Sequence, residues 1–216
     1  PPRSTLFPYT TLFRSALFAA DLGNVRVEIK DPKGAPVADA VASLRPLGRE
    51  VGVTPPAEPV IIAQDGEEFV PYVTAVVVGT RVNFPNRDRV QHHVFSLSKA
   101  KKFDIPLHRG EAKEAILFDK PGVVSLGCNI HDWMSAYVVV LDTPHHGKSL
   151  EQGTIALTGL PPGRYRLEVW HPRIKTVLQR EIEVSANDTA TQVIAVTLGV
   201  DRRIRRAPEG GAAGYK

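Results

Sequence analysis

Short runs rich in valine, isoleucine and leucine, separated by turns that contain glycine or proline, constrain the fold of this chain more than any other feature. The sequence has 17 Gly and 18 Pro among its 216 residues. Proline inside a helix removes a backbone hydrogen bond and costs about 3 kcal/mol, so strands joined by tight turns are favoured over helices. With 43% hydrophobic residues, the chain can bury one core of ordinary size or two small ones. We therefore predict an all-β protein.

The seven residues Cys128-Asn-Ile-His131-Asp-Trp-Met134 carry three candidate metal ligands. Cys128 and Met134 are the only Cys and the only Met in the sequence. Soft sulfur ligands beside imidazole select copper, and a blue-copper centre is formed by two His and one Cys with a weak axial Met. The adjacent residues His92 and His93 offer the second His. Successive side chains of a strand point to opposite faces, so only one of this pair can face a metal.

Three other interpretations of this cluster remain open. A catalytic Cys needs a His that a third group orients as a base, whereas a His three residues away on the same tight loop is better placed to share a metal. Structural zinc takes four Cys or His ligands, so zinc would keep its fourth position open here. In the third interpretation, the Cys and Met are simply buried and no metal binds.

A longer stretch, from about Val60 to Leu141, carries further motifs in a fixed order around these residues. They are Phe69-Val-Pro71, Val78-Gly79-Thr-Arg-Val82-Asn-Phe84-Pro-Asn86, the His pair, and Phe118-Asp-Lys-Pro121-Gly122 leading to Cys128. Together they resemble a cupredoxin. The short Cys-x2-His-x2-Met spacing is similar to that of amicyanin rather than plastocyanin, and the surrounding residues resemble periplasmic methylamine utilization proteins.

The resemblance implies a Greek-key β-sandwich that binds one copper ion through His92, Cys128, His131 and Met134. Plastocyanin and amicyanin have Asn after the first ligand, where this chain has His93. The first residue of the pair takes the family's ligand position, which predicts His92 as the ligand. We expect His93, Asn86 and Asp88 to brace the ligands by hydrogen bonding, as metal sites commonly require. Asn86 and Asp88 fit a plain polar turn equally well.

Copper with four protein ligands has no open position for a substrate, so the resemblance implies an electron carrier and not an enzyme. We expect electrons to pass through the edge of His131, surrounded by an apolar surface of Ile130 and Trp133. The expected partners are redox proteins of the cytochrome or dehydrogenase type. An alternative function is a copper-binding module for storage, delivery or sensing, with an interaction domain beside it.

Two flanking segments, residues 25–44 and 153–170, each predict a pair of strands around a turn. Joined, they resemble the transthyretin-like domain of carboxypeptidase regulatory regions. We predict a discontinuous transthyretin-like β-sandwich from residues 22–55 and 148–200, with the copper domain, residues 56–145, inserted in it. The alternative is a serial arrangement, in which residues 22–55 are an addition to the cupredoxin and a separate C-terminal domain folds alone. The remaining histidines, His108, His145, His146 and His171, are interpreted as polar positions at strand ends and in loops.

Both chain ends are predicted to lie outside the folded domains. Residues 1–15 resemble a translated sequencing adapter, and residues 16–20 resemble the truncated stub of a signal peptide, which predicts export to the periplasm. Residues 201–216 are predicted to form a flexible basic tail. The formal net charge of +4 does not indicate nucleic-acid binding, and no apolar run is long enough to span a bilayer.

Overall fold

The computed structural model describes residues 21–111, 114–201 and 203, and within them it contains β-strands and no helix. The predicted all-β fold is confirmed. Among these residues no helix is long and apolar enough to cross a membrane. The predictions for residues 1–20 and for tail residues 202 and 204–216 lie outside the described part of the chain. At the start of the predicted flexible tail, Arg203 pairs with Asp201 at 2.9 Å and lies 3.6 Å from the ring centroid of Tyr72, so this part is bound to the folded chain.

The strands follow one another at short intervals, as the spacing of Gly and Pro predicts. In chain order they are β1 (Gly23–Lys30), β2 (Val41–Pro46), β3 (Val60–Ile61), β4 (Ala63–Gln64), β5 (Phe69–Val70), β6 (Val73–Val77), β7 (Thr80–Asn83), β8 (His92–Leu97), β9 (Lys102–His108), β10 (Ile116–Phe118), β11 (Gly122–Gly127), β12 (Ser135–Leu141), β13 (His146–Lys148), β14 (Thr154–Leu160), β15 (Gly163–Trp170), β16 (Leu178–Val184) and β17 (Thr189–Ala195).

The first two and the last five strands form one pair of sheets, which we call the flank unit. One sheet has the order β14-β1-β17, with β1 antiparallel to β14 and parallel to β17. The other has the order β13-β2-β15-β16, and within it β2 and β13 pair antiparallel. Alternate residues of β1, namely Val25, Val27 and Ile29, face a core shared with β2, β14 and β15. These pairings join strands from both ends of the described chain, as a discontinuous unit requires. That this unit folds independently as a domain stays a prediction.

Strands β3 to β12 form a second unit, which we call the central unit. Its five-stranded sheet has the order β6-β12-β11-β8-β9, and smaller sheets β10-β7-β3 and β4-β5 complete it. Fully buried Phe84, Phe118 and Val124 lie in its core. Strands β11 and β12 are antiparallel and end with the pair Gly127 and Ser135, so residues 128–134 form the loop that connects them. The sheet therefore fixes both ends of the predicted ligand loop.

The two units meet along an apolar seam. Val41 of the flank unit packs with buried Val73 and Val139 of the central unit. The ring of Trp170 at the end of β15 contacts the ring of Tyr137 on β12, with 5.5 Å between the ring centroids. The seam thus joins the flank unit to the strand that directly follows the ligand loop.

Candidate metal centre

The ligand loop places two sulfur-containing side chains at one end of the core of the central unit. Cys128 is 7% exposed and Met134 is 1% exposed, and both belong to that core cluster. The amide of Met134 donates to the carbonyl of His131 at 3.1 Å, which closes the loop on itself. The thiol and the thioether are therefore held away from bulk water, while His131 between them stays partly exposed.

His92, at the start of β8, reaches the same place from the other side of the loop. It is fully buried, and its Nδ1 lies 3.1 Å from Nδ1 of His131. The Sγ of Cys128 lies 4.0 Å from the same His131 nitrogen. The three ligand atoms are all within 4.8 Å of one another, and they form the one such group of His, Cys, Asp and Glu found among the described residues. The structure thus brings together three of the four predicted ligands and buries Met134 in the adjoining core.

The donor atoms fit a borderline or soft metal ion. A metal about 2.0 Å from each nitrogen and about 2.3 Å from sulfur, in a trigonal arrangement, would separate the nitrogens by about 3.5 Å and nitrogen from sulfur by about 3.7 Å. Two of the observed separations, 3.1 and 4.0 Å, differ from these by less than half an ångström, and the ligand atoms of His92 and Cys128 lie within 4.8 Å of each other. The group contains two imidazoles and a thiol but no carboxylate, so it suits copper or zinc and not calcium or magnesium.

Asp88 fixes the orientation of the His92 ring. Its carboxylate oxygen Oδ2 lies 2.7 Å from Nε2 of His92, and the backbone amides of Gly66 and Glu67 donate to the same carboxylate at 2.8 and 2.9 Å. Burial alone would raise the pKa of the Asp88 carboxyl, but the hydrogen bonds from Glu67, His92 and Gly66 outweigh it and hold the pKa below its ordinary value. An ionised Asp88 accepts a hydrogen bond from Nε2 of His92, which leaves the lone pair of Nδ1 on the side of His131.

His93 points away from this group. Its Nε2 is paired with the carboxylate of Asp104 on β9, and its ring stacks on Phe95 with 5.3 Å between centroids. Its buried Nδ1 has no hydrogen-bond partner among the described residues. The geometry favours His92 over His93 as the ligand. His93 was predicted to brace a ligand by hydrogen bonding, but it contacts Asp104 on the neighbouring strand β9 instead.

Asn86 organises the loop before His92 without a hydrogen bond to a predicted ligand. Its side-chain amide donates to the carbonyls of Val90 and His108 at 2.9 and 2.7 Å, and its side-chain oxygen accepts from the amide of Asp88 at 2.9 Å. The two interpretations from the sequence, bracing of a ligand and a polar turn, therefore apply to different residues. Asp88 contacts a ligand directly, whereas Asn86 shapes the turn that carries Asp88.

The predicted electron-exchange surface is exposed at one residue and partly buried at the other. Ile130 is 51% exposed. Trp133 packs partly against the core, its ring centroid lies 5.0 Å from that of His131, and its Nε1 donates to the carbonyl of Glu67 at 3.2 Å. The turn that contains Gly66 and Glu67 was not predicted as part of the site, because its contribution is made by backbone groups that a side-chain motif does not reveal.

Of the histidines predicted at strand ends and in loops, His171 is buried, and His108, His145 and His146 are partly exposed. His171 is 4% exposed, and its Nδ1 accepts from the amide of Arg173 at 3.1 Å. Burial lowers the pKa values of His145, His146 and His171. Nε2 of His108 lies 3.0 Å from the carbonyl oxygen of Phe84, so the side chain at the end of β9 is bound within the central unit and is not merely solvated.

No family model matches the chain, and no curated protein matches it. Solved structures are similar to part of it. One is a Cu-containing nitrite reductase from Thermus scotoductus SA-01, at 25% identity and a TM-score of 0.38, over 46% of this chain and 26% of that chain. Another is a reduced mutant of amicyanin, at 18% identity and a TM-score of 0.37, over 46% of this chain and 98% of that chain.

A third similar structure is a purple cupredoxin from Nitrosopumilus maritimus, at 24% identity and a TM-score of 0.34, over 38% of this chain and 99% of that chain. This chain thus spans about a quarter of the nitrite reductase and nearly all of the two small proteins. The structural neighbours are cupredoxins, the family that the motifs between Val60 and Leu141 resemble. The transthyretin-like character of the flank unit stays a prediction.

Proposed function

We propose that this protein binds one copper ion in a type 1 centre and carries single electrons between redox partners. The observation that supports this most directly is the convergence of ligand atoms of His92, Cys128 and His131 within 4.8 Å of one another, beside a β-sandwich core. Bound copper would supply a centre that alternates between Cu(I) and Cu(II). The similarity to copper proteins of known structure is consistent with this proposal.

The contribution of the chain is to hold the ligands in one arrangement. Cys128 and Met134 belong to a loop closed by paired strands, and His92 is oriented by the carboxylate of Asp88. Side chains fixed in this way change position little when the charge of the metal changes, which speeds electron transfer. Met134 would supply the fourth and weaker ligand, because its side chain is buried in the same core cluster as Cys128.

The difference in exposure between the two imidazoles gives the route for the electron. His92 is fully buried, whereas His131 is partly exposed beside Ile130. We propose that electrons enter and leave through His131, and that the apolar side chain of Ile130 supports brief contacts with a cytochrome or dehydrogenase partner. With every ligand supplied by the chain, no position is left for a substrate, so we propose a carrier located in the periplasm and not an enzyme.

The visible spectrum of copper-loaded protein tests this proposal. We expect one copper per chain and an intense band from charge transfer between the Cys128 thiolate and Cu(II). Cys128→Ser should abolish the band, whereas His171→Gln, which changes a buried His of the flank unit, should leave it intact. An intense band that survives Cys128→Ser would refute the ligand assignment.

Electrochemistry then separates electron transfer from copper handling. A carrier should give a reversible voltammetric wave with the same metal content before and after cycling. The alternative function, copper storage, delivery or sensing, predicts that reduction releases Cu(I) to a competing chelator faster than the protein is reoxidised.

A further inference from the structure

A two-residue turn between β4 and β5 contacts both halves of the candidate metal centre. The backbone amides of Gly66 and Glu67 donate to the carboxylate of Asp88 at 2.8 and 2.9 Å. The carbonyl of the same Glu67 accepts a hydrogen bond from Nε1 of Trp133 at 3.2 Å. One peptide segment thus binds the residue that orients His92 and also a residue of the ligand loop.

These contacts continue through the imidazoles of His92 and His131 and form a closed series of contacts, which we call the contact ring. Oδ2 of Asp88 lies 2.7 Å from Nε2 of His92, and Nδ1 of His92 lies 3.1 Å from Nδ1 of His131. The His131 ring lies against the ring of Trp133, with centroids 5.0 Å apart and planes tilted by 47°. The contact ring therefore passes from the turn through Asp88, His92, His131 and Trp133 back to the turn, with every link at or near contact distance.

The backbone of the turn is in an uncommon conformation. Gly66 and Glu67 have φ angles of +65° and +59°, and the amide of Asp65 donates to the carbonyl of Glu68 at 3.0 Å. Two successive positive φ angles are what a tight two-residue hairpin of type I′ requires, and Gly or Asn usually fills both positions. A glutamate in the left-handed region is strained, and such strain concentrates at functional sites. Here the conformation directs two adjacent amides at one carboxylate, in the manner of a small anion-binding nest.

We propose that the turn formed by Gly66 and Glu67, together with Asp88 and Trp133, is a positioning element that sets the distance between His92 and His131 before the metal binds. This inference rests on the proposed function only in taking the two histidines as ligands. Trp133 acts in it as a positioning residue as well as a part of the surface. The turn matters through its backbone groups, so the contact ring does not depend on the chemistry of the Glu67 side chain.

Trp133→Phe is the central variant, because it removes the Nε1 donor and keeps an aromatic ring beside His131. The chain has two Trp, so Trp170→Phe at the seam is a matched control. In copper-free protein, we expect hydrogen exchange of the Gly66 and Glu67 amides to be faster in Asp88→Ala and in Trp133→Phe, and unchanged in Trp170→Phe. Far-UV circular dichroism verifies that each variant is folded, and Asp88→Asn, which keeps the shape of the side chain, replaces Asp88→Ala if that variant is not.

Copper affinity gives a second readout. Loss of one hydrogen bond in Trp133→Phe should weaken Cu(II) binding by about fivefold, and loss of the group that orients a ligand in Asp88→Ala by about tenfold to a hundredfold. The contact ring joins Asp88 and Trp133. The double variant Asp88→Ala/Trp133→Phe should therefore lose less affinity than the product of the two single losses, by a factor of about two or more.

Either of two results would overturn the inference. One is unchanged exchange of the turn amides in Trp133→Phe, and the other is a double variant whose loss equals the product of the single losses. The exchange measurement needs no metal. A protein that fails to bind copper but shows the coupled exchange would therefore refute the proposed function and leave the positioning element standing.

Discussion

Ser149 links the two segments of the flank unit at the point where the chain returns from the central unit. Its hydroxyl donates to the carbonyl of Val37 at 2.8 Å and accepts from the amide of Ala40 at 3.0 Å. Its own amide donates to the carbonyl of Ala40, and its carbonyl accepts from the amide of Asp39. The side chain is thus bound to residues more than a hundred positions earlier in the chain. We predict that Ser149→Ala destabilises the flank unit.

The size of the effect follows from what the substitution leaves behind. Ser149 is 1% exposed, so water does not replace its hydroxyl. The amide of Ala40 and the carbonyl of Val37 each lose this partner in a buried setting, which costs about 1–3 kcal/mol per group. We expect the free energy of unfolding to fall by about 2–4 kcal/mol. For a chain of this length, that corresponds to a decrease in Tm of about 5–15 °C.

Urea denaturation of copper-free protein, followed by far-UV circular dichroism, measures this change without a contribution from bound metal. Ser125→Ala is the control, because Ser125 is exposed on β11 of the central unit, and it should change the free energy of unfolding by less than about 0.5 kcal/mol. A Ser149→Ala variant as stable as this control would show that the two hydrogen bonds do not hold the segments together.

Three further predictions concern the metal ligands and the pH dependence of stability. His92→Ala should abolish tight copper binding, whereas His93→Ala should change the affinity by less than about tenfold; isothermal titration measures both, and the reverse order would move the ligand by one residue. Met134→Gln should keep copper and colour and lower the reduction potential in voltammetry, because an oxygen donor favours Cu(II); a raised potential would contradict an axial role. Burial lowers the pKa values of His146 and His171 from 6.5, so below about pH 6.5 the unfolded chain binds more protons than the folded chain and the free energy of unfolding falls as the pH decreases. Replacing both residues with Gln should make the urea midpoint depend less on pH between about pH 7.5 and 5.5. An unchanged pH dependence would show that other groups cause the loss of stability.

Local sequence was sufficient to predict that the candidate ligands Cys128, His131 and Met134 lie together. Cys128, His131 and Met134 lie within seven residues, between two antiparallel strands that pair with each other. Alternation along a strand predicted that only one of His92 and His93 can face the metal, and the choice of His92 came from the resemblance to cupredoxins. The all-β class was predictable because the turn residues recur throughout the chain.

The contacts that orient these ligands were not predictable from local sequence. The bond between Trp133 and Glu67 joins residues 66 positions apart, and it uses a carbonyl that every residue possesses. The parallel pairing of β1 with β17 joins opposite ends of the described chain. Contacts of this kind depend on how the sheets are assembled, and neither periodicity nor residue type records that assembly.

The antiparallel pairing of β2 with β13 has a consequence for the order of folding. Ser43 lies opposite His146 in this pair, so all the residues between the two strands act as one long hairpin loop. Closing an unfolded loop of that length is entropically costly and slow, whereas a central unit that has already folded can bring the two ends together. We expect the central unit to fold first and to serve as a template on which the flank unit closes, so a ligand that speeds folding of the central unit would also speed maturation of its neighbour.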